Sequence, residues 1–182
     1  MAHVFTTSYI EESLAIFHQN KALGEKALAQ LRDDELTLQL DEESNSAAQI
    51  IKHMAGNMRS RWTNFLTTDG EKPNRNRDSE FVDAAATRDE MMRQWNEGWA
   101  CFFAAIEPLS EADLTRSITI RSEPHSVIQA INRQVAHYAM HIGQIVFLAK
   151  HLRSAEWNTL SVARNKSGEF NTKVLSGEAS QR

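Results

Sequence analysis

Four stretches of this chain repeat apolar residues on a three-four spacing, and almost nothing breaks them. The 182 residues include only 7 Gly and 3 Pro, the residues least compatible with a helix interior. A three-four spacing puts apolar side chains on one helical face, so the chain is predicted to be all-α. Ile10, Leu14, Phe17, Leu28 and Leu31 mark a first helix over about Ser8–Leu31, with Lys21 and Gly24 interrupting its stripe. Asp33–Glu43 reads as an acidic connector, locally extended. Ser46 and Gln49 match a reciprocal capping box and open a second helix that runs to about Leu66. Asp69-Gly70 and Pro73 mark a loop through Ser79, followed by a short helical turn around Glu80–Ala85.

Thr87 and Glu90 match another capping box, before a third helix over about Arg88–Ile106 whose face carries Met91, Trp95, Trp99, Phe102, Phe103 and Ile106. Pro108 stops it. Ser110–Asp113 reads as a single turn and Ser117–Ser122, rich in β-branched residues, as extended. Ser126, with Gln129 three residues on, opens a fourth helix reaching about Leu152. Four long helices make a four-helix bundle the natural solution for residues 1–152. The roughly twenty residues between helices 2 and 3 are long for a hairpin and predict a crossover connection. Residues 153–182 form a polar tail carrying Trp157, Leu160, Val162 and Phe170, expected to pack on the bundle or on a partner subunit, with a mobile end.

Composition excludes several functions. A net charge of −4, from 20 cations against 24 anions, argues against a nucleic-acid binder, which needs a basic excess. The three cations of Lys72–Arg77 read as a solvated loop. Cys101 is the single cysteine, so no intrachain disulfide forms. The N-terminus lacks the basic start and apolar block of a signal peptide. The longest apolar run, Trp99–Ile106, is far too short for a membrane span. A cytoplasmic location is the expectation.

The chemistry concentrates in histidines. His3, His18, His125 and His151 have no useful spacing. His137 and His141 stand four residues apart in mid-helix, on one side, close enough for both rings to turn toward one ion. The pair alone also fits two rings that pack or hydrogen-bond separately. His53, mid-helix beside Ile50, Ile51 and Met54, changes the balance, because an unpaired imidazole facing inward is costly and bundle cores build metal sites from facing helices. Tyr138 follows the first histidine of the pair, where a zinc-protease helix carries its glutamate base. Three imidazoles leave at least one coordination position open, as catalytic sites do. Asn57, one turn from His53, and Gln134 and Gln144, flanking the pair, are the candidates to orient a ring or a bound ligand. Arg61 and Arg133 fit either the attraction of an anionic substrate or a plain surface role.

His53 and the segment HYAMHIGQI (His137 to Ile145), with its Gly-Gln after the second histidine, resemble the DinB / YfiT-like superfamily of bacterial metal-binding bundles. Arg61–Phe81 and Glu156–Asn171 resemble a subfamily of unknown function, and the similarity covers almost the whole chain. The resemblance implies a four-helix bundle with a long crossover, often dimeric, and a nickel or zinc ion on His53, His137 and His141. Some superfamily members transfer a low-molecular-weight thiol such as bacillithiol or mycothiol, and others are described as metal-dependent hydrolases. The superfamily name refers to DNA-damage induction and does not imply DNA binding. The expectation is a metal-dependent enzyme, working as a homodimer, that activates a thiolate or water for thiol transfer to, or hydrolysis of, a small molecule. A non-catalytic, stress-related metal-binding dimer and a bundle whose histidines are satisfied without metal are the rivals.

Overall fold

The computed structural model describes residues 8–82 and 87–180. Four helices carry the fold: α1 (Tyr9–Leu28), α2 (Ala47–Trp62), α3 (Arg88–Ile106) and α4 (Val127–Arg153), with a shorter α5 (Ser167–Ser176) in the C-terminal tail. Packing is chiefly of α1 on α4 and of α2 on α3, and α2 also meets α4. The capping boxes at Ser46–Gln49 and Ser126–Gln129 both form. At α3 the Thr87 hydroxyl accepts from the Glu90 amide at 3.2 Å, but the return bond from the Glu90 side chain is absent.

The core is aromatic. Phe17 of α1, Trp62 of α2, Trp99 and Phe102 of α3 and Tyr138 of α4 are fully buried. Their rings meet edge to face, with centroids 4.4 Å apart for Phe17–Phe102, 5.2 Å for Trp62–Phe102 and 5.3 Å for Trp99–Tyr138, the favoured arrangement for ring quadrupoles. Tyr138 therefore packs rather than entering the histidine site. Its hydroxyl accepts from Trp62 Nε1 at 3.3 Å.

After α2 the chain folds back along it through residues 63–82, the described part of the connection to α3. It contains a 3₁₀ turn, Asp78–Glu80, where the sequence predicts a longer turn to Ala85; Asp83–Ala85 lie outside the described residues. The segment expected to be extended is the first half of a hairpin. Ser117–Ile120 (β1) pairs antiparallel with Glu123–Ser126 (β2). Arg121 and Ser122 turn the chain with positive φ, 54° and 64°, a conformation uncommon without glycine. Asp69 holds it there, its carboxylate accepting from the amides of Arg121 at 2.9 Å and Ser122 at 2.8 Å.

In the tail, Trp157 and Leu160 pack against the core, and Gln30 exchanges two hydrogen bonds with the backbone of Asn158. α5, not foreseen from sequence, buries no residue. His3 and the last two residues lie outside the described residues. Among the described residues no helix is long and apolar enough to cross a membrane.

Candidate metal centre

His53 points from α2 toward His137 and His141 on α4. His53 Nε2 lies 3.4 Å from His137 Nε2, which lies 3.1 Å from His141 Nε2, and the three ligand atoms lie within 4.8 Å of one another. These separations bear directly on fit. Nitrogens held 2.0–2.1 Å from one ion stand about 2.9 Å apart at a right angle and about 3.4 Å apart at the tetrahedral angle. His53 and His141 are buried and His137 is half-buried, so the cluster meets solvent on the His137 side. The other described histidines, His18, His125 and His151, stay apart. His18 stacks on Phe103, the half-buried His125 meets the Glu123 carbonyl, and the exposed His151 stacks on Phe147.

Each ring is tied from behind. Glu80 Oε2 accepts from His53 Nδ1 at 2.8 Å, and Gln144 Oε1 accepts from His141 Nδ1 at 2.7 Å. Both bonds fix the proton on Nδ1 and leave a lone pair on Nε2. Gln134 Nε2 donates to Asn57 Oδ1 and to His137 Nδ1, each at 2.9 Å. His137 is thereby the tautomer with its proton on Nε2, aimed at its two neighbours. All three polar candidates named from spacing, Asn57, Gln134 and Gln144, thus meet the site. For an ion to take all three Nε2 atoms, His137 must move its proton to Nδ1, and the Gln134 and Asn57 carboxamides must both turn over, so that Gln134 Oε1 accepts from His137 and from Asn57.

Glu80 is the residue at the cluster that sequence reasoning missed. It is buried, and besides His53 it accepts from Arg75 Nε at 2.8 Å and Arg75 Nη2 at 2.9 Å. Burial alone would raise its pKa, but the bonds from His53 and Arg75 outweigh it and hold the carboxyl below its ordinary value. Arg75, from the loop read as solvated, is buried: its side chain is 6% exposed. The correction has a physical cause. Gly56 opens a slot in α2, and a Cβ there would lie 2.3 Å from Glu80 Oε1. The loop folds its carboxylate into that slot and Arg75 follows its counter-charge.

Burial, then the neighbouring His141 and His53, push His137 down to about 3. Burial also lowers His141, against the bond from Gln144. Both rings are neutral at pH 7, the form that ligates metal. Because the folded state resists protons that unfolded histidine accepts near 6.5, stability of the metal-free protein is complete above that pH and falls as pH drops from about 6.5 toward 3. Urea midpoints measured at intervals from pH 7.5 to 5 are expected to decline below 6.5, and to decline less in His137→Ala.

Among solved structures, YfiT from Bacillus subtilis, described as a probable metal-dependent hydrolase with an unusual four-helix bundle topology, matches with a TM-score of 0.59 and 16% identity, over 84% of this chain and 93% of that one. The likeness is one of fold, a YfiT-like four-helix bundle. No curated protein matches the chain. The sequence profile of the DUF1572 family, described as a protein of unknown function, matches residues 4–166. The chain belongs to the DUF1572 family.

Proposed function

We propose that this chain is a metal-dependent enzyme acting on a small molecule, with His53, His137 and His141 holding one divalent ion, nickel or zinc. One observation carries the reading: three imidazole nitrogens from two helices lie within 4.8 Å of one another, two of the pairs at metal-ligand separations, and each ring is held from behind by a hydrogen bond. When bound, such an ion supplies Lewis acidity, lowering the pKa of a thiol or water that shares the site. The protein's own part is orientation. Glu80 and Gln144 keep the Nε2 lone pairs of His53 and His141 facing inward, and Gln134 with Asn57 sets the ring of His137.

Transfer of a low-molecular-weight thiol is the leading reaction. Glu80 lies behind His53 and is committed to it and to Arg75, so it does not serve as a base for an incoming nucleophile. A thiol, with a pKa near 8.5, needs far less help to ionise than water at 15.7. Hydrolysis is the second reading, supported by the fold likeness to YfiT and its description. The test starts from protein purified without a histidine tag. Elemental analysis is expected to find one nickel or zinc per chain, removed by chelator and restored by either ion. Thiols offered with electrophiles should then be consumed only by the metal-loaded form. Turnover of esters alone would favour hydrolysis, and full metal with no turnover would leave a binding protein. Failure to retain either ion after loading would end the metal reading.

A further inference from the structure

Arg61 shares a face of α2 with His53 and Asn57, one turn beyond Asn57. The His53–His137 and Asn57–Gln134 contacts set α2 and α4 antiparallel across the site. One turn further on, Arg61 therefore comes level with the first turns of α4, where the exposed Arg133 stands. The Cβ tilt of a helix leans Arg61 back toward Asn57 and the histidines.

Arg61 is only 4% exposed, yet its Nε and Nη1 have no hydrogen-bond partner. Among the described residues no carboxylate pairs with it. Glu71, the acid whose charge it feels, is engaged by Arg75 at 3.4 Å and Arg121 at 3.2 Å. Its other charged neighbours, Arg133 and Arg75, are cations. The side chain is also clamped: a Cβ at Gly70 would lie 3.0 Å from Arg61 Cδ and 3.3 Å from Ile120 Cγ1, and the Gly70 amide is pinned to Thr119 O at 2.8 Å. A buried, positioned guanidinium without an anion is costly, and its geometry suits carboxylate and phosphate.

We propose that Arg61, with Arg133 beside it, seats the anionic group of the substrate, a carboxylate or phosphate, one to two helical turns from the histidine cluster. The word substrate rests on the catalytic reading above; the affinity for anions does not. Burial and Arg133 lower the Arg61 pKa to about 10, so its charge persists at neutral pH.

The test uses chelated, tag-free protein titrated with inorganic phosphate or succinate at constant ionic strength, read as the thermal midpoint. Both anions are expected to raise it, in wild type and in His137→Ala alike. Arg61→Met should respond at least tenfold more weakly and, having lost an unpaired buried charge, should melt higher than wild type without anion. Arg61→Lys should keep a reduced response. An unresponsive wild type, or an Arg61→Met that responds as wild type does, overturns the seat. A response to phosphate but not succinate upholds the seat with a phosphate as its group, and the reverse upholds it with a carboxylate. Anion response without retained metal sinks the catalytic reading and leaves the seat; retained metal without anion response does the reverse.

Discussion

Replacing His137 by alanine is expected to leave tag-free protein with no stoichiometric nickel or zinc, a loss beyond the roughly 10–100-fold that removing an outer hydrogen-bond partner of a metal ligand costs. His137 Nε2 is the atom that joins the cluster, 3.4 Å from one neighbour and 3.1 Å from the other. Without it, His53 and His141 face each other with ring centroids 4.9 Å apart, and two imidazoles remain where three converged. The fold should survive. His137 is half-buried at the edge of the cluster, Asn57 and Gln134 keep their mutual bond, and Tyr138 loses one ring contact while keeping those to Phe17, Trp99 and Phe102. Circular dichroism should therefore match wild type while equilibrium dialysis against zinc and nickel shows occupancy lost. Equal metal content in the two proteins would mean that bound ions sit elsewhere, and the three-histidine centre would fall.

The helices were legible because their signals are local. Apolar stripes and the boxes at Ser46–Gln49 and Ser126–Gln129 need only the next turn of chain to act. α5 was not, since its ten residues offer only Phe170 and Val174 on one face, a single turn of pattern, and fully bury neither. The hairpin was half legible. Ser117–Ile120 is β-branched, but its return strand holds Pro124 and His125, and its turn depends on Asp69, some fifty residues away in the chain. The site divides the same way. His137 and His141 announce themselves by spacing, and His53 by a polar ring among Ile50, Ile51 and Met54. Arg75 and Glu80 stand in a polar loop that local rules give to solvent. Their burial depends on the loop returning to α2. The one trace of that return is Gly56, a poor helix former in mid-helix, which reads as a loss of about 1 kcal/mol until something is seen to fill the space it leaves.

That slot leads to the largest expected loss of stability. Glu80→Ala should destabilise the protein by about 3–5 kcal/mol, the usual consequence of leaving a buried charge without its partner. Arg75 keeps only its longer contact to Glu71, at 3.4 Å, which places the loss toward the lower end. The same substitution frees His53 Nδ1, and metal affinity should fall about 10–100-fold. The two effects separate in the double variant Glu80→Ala/Arg75→Met, which removes the orphaned charge: stability should recover in large part and metal affinity should not. Gly56→Ala reaches the same place from the other side. Helix propensity alone favours it by about 1 kcal/mol, but the new Cβ would lie 2.3 Å from Glu80 Oε1 and 2.8 Å from its Cδ. Three hydrogen bonds, from His53 and from two nitrogens of Arg75, resist the retreat of that carboxylate. Denaturant titrations should therefore show a net loss, with metal affinity falling as in Glu80→Ala. A Gly56→Ala protein that melts higher and holds its metal undiminished would show that the carboxylate yields freely, and that His53 does not depend on it.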